Sequence, residues 1–278
     1  MARTATFDSE FENSFGDQVK DLREYKTPGT PHKIQVRERD ENKLISKEDQ
    51  KLFRSGVGML LYLVKHSRPD IANPVRELSK VLDGPDREAF KEMLRVIKYV
   101  LDTQNWGLKF QPTFDQETWD LVCFCDSDYA GDPDSCKMVS GYILYVRGVP
   151  ICWRSKAQKT ITLSSAEAEW IALSEATKEI IFVLQLFEEM KIKIELPIVV
   201  NVDNMGAIFM SKNINTSSRS KHIDVRTKYV NEYVEDGKLK IIYVKSENND
   251  SDLYTKNLGS ELYLKHSSKI VSPKYGAQ

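Results

Sequence analysis

Two hydrophobic patterns divide the chain, and one gives way to the other near residue 110. Before that point apolar residues recur every three or four positions, which predicts helices. After it, alternation and short apolar runs predict strands. The predicted helices are FRSGVGMLLYLVKHS, ANPVRELSKVL and REAFKEMLRVIKYVLDT, and the predicted strands are DLVCFCD, SGYILYVRG, VPICWRS, LPIVVNVD and KLKIIYV. The sequence therefore predicts a small helical module followed by a domain built on a sheet.

The order of the predicted strands indicates how they pair. The first three strands follow one another through short links such as RGVP, so they are expected to be antiparallel neighbours. The last two strands each follow a helix, so they are expected to run parallel to the first. This pattern predicts an α/β domain with a mixed five-stranded sheet and helices on its faces.

The chain ends and the linkers set the expected domain boundaries. Residues 1–50 are polar and contain KTPGTPHK, which predicts a poorly ordered tail or tether. We expect a helical connection module over 51–110, the sheet domain over 118–260 and a C-terminal tail over 261–278. The polar, acidic start has no apolar core of a secretion signal, and no run of about 18 apolar residues predicts a membrane span.

Composition changes this picture little. The formal net charge is -1, so any contact with nucleic acid has to come from a local basic patch. The four cysteines form no CxxC pair, which favours a reduced intracellular compartment and argues against a zinc site.

One glutamate stands where a core residue is expected. In the predicted helix containing SSAEAEW, Glu169 shares a face with Leu173, Ala176 and Ile180, whereas Glu167 falls on a mixed face. A carboxylate aimed into a core is costly unless a cation compensates its charge. Glu169 is therefore expected to have a positively charged partner that its helix does not supply.

Three aspartates are candidates to share that partner. Asp126 closes one apolar run, Asp203 closes another, and Asp252 precedes the last predicted helix. Taken singly, they are explained as well by a strand end or a helix N-cap. If they meet Glu169 at one rim of the sheet, their mutual repulsion requires divalent cations, and oxygen ligands favour Mg²⁺ or Mn²⁺ over zinc.

A longer set of ordered motifs resembles a known family. The segments CDSDYAG, SGYILYVRGVPICWRSKAQKTITLSSAEAEW, VDNMGAI, SRSKHIDVRTKYV and DLYTKNL are similar to the ribonuclease H domain of copia-type LTR retrotransposon polyproteins. The preceding FRSGVGMLLYLVKHSRPDIANPVRELSKVL resembles the segment that connects reverse transcriptase to that domain, so the resemblance covers roughly residues 40 to 270. It implies a ribonuclease H-like sheet with strand order 3-2-1-4-5.

The resemblance also implies an activity and its residues. The implied reaction is hydrolysis of the RNA strand of an RNA–DNA hybrid with two Mg²⁺ or Mn²⁺ ions. The implied ligands are Asp126, Glu169, Asp203 and Asp252. Nearby basic residues are candidate phosphate contacts, although charged loops are often only solvated. These are Arg154, Lys156, Lys159, Arg219 and Lys221. Implied partners are the hybrid and the palm and fingers of a reverse transcriptase, in a cytoplasmic particle or the nucleus.

Departures from the family keep alternatives open. No YxDD-type palm motif occurs, so we expect a polyprotein's C-terminal part or a truncated relic without polymerase activity. The loop VKSENNDSDLYTK lacks the histidine of cellular ribonucleases H and leaves Asp250 as an alternative to Asp252, and His222 is as compatible with a helix start as with substrate contact. The alternatives are an inactive relic or nucleic-acid-binding module and an integrase-type strand transferase, whose glutamate would come last rather than second.

Overall fold

The structure is a computed structural model that describes residues 2–31, 44–112, 119–128, 138–159, 164–204, 206 and 221–273. Its described helices are α1 (Ala2–Val19), α2 (Lys47–His66), α3 (Ala72–Ser79), α4 (Arg87–Asp102), α5 (Ser165–Glu189), α6 (Lys221–Glu235), α7 (Asp252–Thr255) and α8 (Ser260–Ile270). Its described strands are β1 (Trp106–Leu108), β2 (Leu121–Asp128), β3 (Val139–Val146), β4 (Val149–Ala157), β5 (Ile198–Val202), β6 (Leu239–Tyr243) and β7 (Val271–Pro273). None of the described helices combines the length and the apolar character that a membrane span requires.

The chain forms two compact units. The first contains Met1–Lys109 together with Lys256–Gln278, and the second contains Phe110–Thr255. Helices α2, α3 and α4 of the first unit lie where the three-to-four-residue spacing predicts them. Asp86 begins α4 as its N-cap, since its carboxylate accepts a hydrogen bond from the Ala89 amide at 2.7 Å.

The prediction of tails at the two chain ends is wrong for the described residues. Helix α1 buries Phe11, Phe15 and Val19, which recur at four-residue spacing on one face. At the other end, β7 pairs with β1 in antiparallel register, from Trp106 opposite Pro273 to Leu108 opposite Val271. Both ends of the chain therefore contribute core to the first unit, where burial of apolar side chains offsets the loss of conformational entropy.

A buried polar network joins the two sequence segments of the first unit. The Arg68 guanidinium donates to both carboxylate oxygens of Asp70, at 3.0 and 2.9 Å, and both residues are almost fully buried. The hydroxyl of Tyr263, on α8, donates to Asp70 at 3.2 Å and lies 3.0 Å from the hydroxyl of Tyr99. The network therefore fastens α8 to the residues around Asp70.

The second unit contains the predicted mixed sheet. Its strand order is β4-β3-β2-β5-β6, with β2, β3 and β4 antiparallel and with β5 and β6 parallel to β2. This is the order 3-2-1-4-5 of a ribonuclease H-like fold, so the predicted fold class is confirmed. One face packs against α5 through residues such as Trp170, Leu173 and Ile180, and Ser164 caps α5 by accepting a hydrogen bond from the Glu167 amide at 3.2 Å.

Candidate metal centre

Three of the four predicted acidic residues meet at one end of the sheet. Asp126 lies near the end of β2, and Asp203 directly follows β5, which is parallel to β2. Glu169 lies at the start of α5, which packs against β2. Each residue offers one carboxylate oxygen, and these oxygens all lie within 4.8 Å of one another. The parallel strands bring the aspartates together because their carboxyl ends share an edge of the sheet.

The prediction that Glu169 points inward is confirmed. Glu169 is 6% exposed, whereas Glu167 on the same helix is partly exposed. The Oε2 atom of Glu169 is buried and has no hydrogen-bond partner among the described residues. A buried carboxylate oxygen without a partner is costly, so this atom calls for a ligand that the protein chain does not provide.

The electrostatics of the cluster follow from its geometry. Burial first, and then the neighbouring charges of Asp126 and Asp203, raise the pKa of Glu169 to about 9. Ser127 acts the other way, because its hydroxyl and its backbone N–H favour the charged carboxylate, but its effect is smaller. At neutral pH Glu169 therefore keeps its proton in the absence of a cation.

This shift predicts a pH dependence of stability. Between the ordinary glutamate pKa of about 4.3 and a pKa of about 9, the folded chain holds a proton that the unfolded chain releases. The free energy of unfolding of the metal-free chain should therefore fall as pH rises through this window. Urea unfolding with a chelator, from about pH 5 to about pH 9, measures the slope.

The matched control is Glu169→Gln, which removes the titrating group and should remove its share of the slope. Equal slopes in the wild-type chain and in Glu169→Gln would contradict the raised pKa. The same proton competes with a cation, so the affinity of the wild-type chain for Mn²⁺ should rise with pH over the same window.

The donor atoms fit a hard divalent cation. The cluster presents carboxylate oxygens, which Mg²⁺ and Mn²⁺ prefer. Cys125 lies beside Asp126 on β2, but burial first, and then the surrounding charges, raise the pKa of its thiol well above its ordinary value. Its sulfur therefore stays protonated and adds no soft thiolate to the donor set.

Asp252, the fourth predicted ligand, is not a member of the group of three. It begins α7, it is buried, and its Oδ2 atom accepts a hydrogen bond from the Ser246 hydroxyl at 3.3 Å. The alternative, Asp250, is also buried and accepts a hydrogen bond from the Tyr145 hydroxyl at 3.2 Å. The choice of Asp252 as fourth ligand stays a prediction.

The basic residues differ in their surroundings. Burial opposes the charge of Arg154, yet Tyr142 and the carboxylates of Glu175 and Glu179 favour it and raise its pKa above the usual value. Arg154 thus interacts with side chains of the second unit itself. Lys156 is partly exposed and Lys159 is exposed.

Three further candidates lie beyond what is described. Arg219 falls outside the described residues, as do the side chains of Lys221 and His222 at the start of α6. Their predicted roles stay predictions.

Sequence reasoning missed Gln158, which supports the site. Gln158 follows β4, and its Nε2 atom donates to the carbonyl of Ala168 at 2.9 Å and to the hydroxyl of Ser140 at 2.8 Å. These bonds join the first turn of α5, just before Glu169, to β3. No local pattern marks Gln158, because its partners are distant in sequence.

Comparison with known proteins gives the chain its family. It is 33% identical over 218 residues to the retrovirus-related Pol polyprotein from transposon RE1 of Arabidopsis thaliana, covering 78% of this chain and 15% of that protein. The chain belongs to the copia-type retrovirus-related Pol polyproteins. It spans about 15% of the length of that relative. It is also 40% identical over 130 residues to secreted RxLR effector protein 161 of Plasmopara viticola, covering 47% of this chain and 89% of that protein.

Among solved structures, the chain is similar to LC11-RNase H1 in complex with an RNA/DNA hybrid, with a TM-score of 0.38 and 14% identity over 49% of this chain and 94% of that one. No family model matches the chain. The membership in the copia-type Pol polyproteins rests on the sequence relatives, and the ribonuclease H-like topology rests on the strand order described above.

Proposed function

We propose that this part of a copia-type Pol polyprotein hydrolyses the RNA strand of RNA–DNA hybrids in a reaction that requires Mg²⁺ or Mn²⁺. The observation that carries the proposal is the meeting of Asp126, Glu169 and Asp203 within 4.8 Å, with a buried Glu169 oxygen that lacks a partner. Clustered carboxylates repel one another and destabilise the folded chain, so their presence here is explained best by a cation that compensates their charge.

The proposed ligands act through their positions on rigid elements. Asp126 and Asp203 would hold the ions from the ends of two adjacent parallel strands, and Glu169 would hold them from the first turns of α5. Asp252, on α7, is proposed as the fourth ligand. Bound Mg²⁺ or Mn²⁺ ions would activate the attacking water and stabilise charge on the leaving oxygen. The protein chain contributes by fixing the carboxylates and by lowering the access of bulk water to Glu169.

Recognition of the hybrid is proposed to depend on its backbone and shape. The 2′-hydroxyl groups distinguish the RNA strand, and the phosphates attract basic side chains. Among the residues predicted for this role, Lys159 is exposed and Lys156 is partly exposed, so they are the first candidates within the described chain. The reverse transcriptase part of the polyprotein is a proposed partner that would add affinity for the hybrid.

Strand-specific cleavage tests the proposal. The purified chain is incubated with RNA–DNA hybrids that carry a label on either the RNA or the DNA, with Mg²⁺, Mn²⁺ or a chelator. We expect cleavage of the RNA strand only, and only with a divalent cation. Single-stranded RNA and double-stranded DNA are the control substrates.

Each other outcome contradicts the proposal in a distinct way. A folded chain that binds the hybrid without cleaving it would favour the alternative of an inactive nucleic-acid-binding module. A chain that joins DNA strands would favour the integrase-type alternative.

A further inference from the structure

Asp126 is held by a residue of the last element of the second unit. The hydroxyl of Thr255, at the end of α7, donates a hydrogen bond to the Oδ2 atom of Asp126. Both residues are 1% exposed, so water does not compete for this bond. A hydroxyl that donates to an ionised carboxylate forms one of the stronger kinds of hydrogen bond in proteins.

Close packing explains how α7 comes within reach of Asp126. Gly141 on β3 is paired in register with Asp126. A Cβ atom at Gly141 would lie 2.7 Å from Cγ2 of Thr255 and 2.7 Å from Cβ of Tyr254. Contacts this short are not tolerated, so the absence of a side chain at Gly141 lets α7 rest directly on the strand backbone.

Further hydrogen bonds hold the segment before α7 and α7 itself in place. The Nδ2 atom of Asn249 donates to the carbonyl of Cys125, the residue before Asp126, at 3.1 Å. The hydroxyl of Ser155 on β4 donates to the carbonyl of Tyr254. Thr255 therefore contacts Asp126 from an element that is itself held in place. A residue that orients a metal ligand needs such support.

We propose that Thr255 is a positioning residue of the metal centre, which fixes the rotation of the Asp126 carboxylate so that it faces Glu169 and Asp203. This inference rests on the proposed function, because it concerns the same cation site. The hydroxyl of Thr255 also lies 3.4 Å from the carbonyl of Asp252. The same tether thus sets the distance between β2, which carries one proposed ligand, and α7, which carries another.

The test compares binding of Mn²⁺ alone, without nucleic acid, by isothermal titration calorimetry. Thr255→Val keeps the shape of the side chain and removes the hydroxyl, and we expect it to weaken Mn²⁺ binding by about 10- to 100-fold. Thr255→Ser restores the hydroxyl and should bind Mn²⁺ nearly as the wild-type chain does. Circular dichroism establishes that each variant is folded.

The matched control is Thr177→Val, which makes the same atomic change at a buried threonine of α5. The hydroxyl of Thr177 donates to the carbonyl of Leu173 at 2.9 Å, within the helix and away from the carboxylates. Thr177→Val should leave Mn²⁺ affinity unchanged, so a loss confined to Thr255→Val identifies positioning rather than a general loss of packing.

The outcomes separate this inference from the function on which it rests. If Thr255→Val binds Mn²⁺ with the same affinity as the wild-type chain, the role of Thr255 is overturned and the proposed metal centre is not. A Thr255→Ser variant as weak as Thr255→Val would also overturn it, since the hydroxyl would then not be the cause. A wild-type chain that binds no Mn²⁺ would overturn the proposed function itself.

Discussion

Replacing Asp126 by Asn should reduce cleavage of an RNA–DNA hybrid by about a thousandfold or more, with no loss of stability in the metal-free chain. The amide keeps the size of the side chain and can still accept the hydrogen bond from Thr255. It removes one of the charges that raise the pKa of Glu169, so repulsion within the cluster decreases. Cleavage activity should therefore fall, while the stability of the metal-free chain should rise or stay unchanged. Cleavage rates and thermal melting of the same preparation measure both.

The control for Asp126→Asn is Glu167→Gln on the same helix as Glu169. Glu167 is partly exposed and lies outside the group of three carboxylates, so both activity and stability should stay close to wild type. If Glu167→Gln proved as inactive as Asp126→Asn, the wrong glutamate of SSAEAEW would have been assigned to the metal centre.

Replacing Asp70 by Asn should destabilise the first unit by about 3–5 kcal/mol, because it leaves the Arg68 guanidinium buried without a counter-charge. Arg68 is 2% exposed and donates to both oxygens of Asp70. Tyr263 and Tyr99 lose a charged acceptor at the same time. Urea unfolding followed by far-ultraviolet circular dichroism measures the loss in this helix-rich unit.

Asp17→Asn provides the control for Asp70→Asn. It breaks the ion pair between Asp17, on α1, and Lys20, which directly follows that helix. These two side chains are 96% and 61% exposed. An exposed pair contributes about 0–1 kcal/mol, so the free energy of unfolding should hardly change. A cost of Asp70→Asn as small as that of Asp17→Asn would show that the buried network does not stabilise the first unit.

The sheet and its flanking helices could be predicted because their patterns are local. The short apolar runs of β2 and β3 and the three-to-four-residue spacing along α4 and α5 are visible within short windows of sequence. The connections predicted the antiparallel pairing of β2, β3 and β4 and the parallel direction of β5 and β6, whereas the strand order was what the family resemblance implied. These features depend on near neighbours in the chain, so sequence reasoning could reach them.

The C-terminal part of the first unit could not be predicted in this way. Helix α8 turns His266 and Ser267 toward the interior, so its buried face does not show as an apolar stripe. Strand β7 has three residues and pairs with β1, far away in the sequence. By contrast, α1 does carry a spaced apolar set, Phe11, Phe15 and Val19, which the acidic surroundings obscured.

The candidate site also contains residues that local sequence patterns mark and a residue that they do not mark. Strand ends mark Asp126 and Asp203, and helical phase marks Glu169, so the group of three could be assembled from sequence patterns. Thr255 could not be recognised, because its role depends on contact with a residue far earlier in the chain and on the missing side chain of Gly141. Supporting residues of a site arise from tertiary packing and leave no periodic signal.

The most direct test of a metal-dependent nuclease centre is the position of Mn²⁺ in crystals of the chain, located by its anomalous scattering. We predict anomalous density between the carboxylates of Asp126, Glu169 and Asp203, and its loss in Asp126→Asn crystals treated in the same way. Well-ordered carboxylates with no anomalous density between them, in crystals soaked with Mn²⁺ above the pKa of Glu169, would contradict the assignment of these residues to a metal centre.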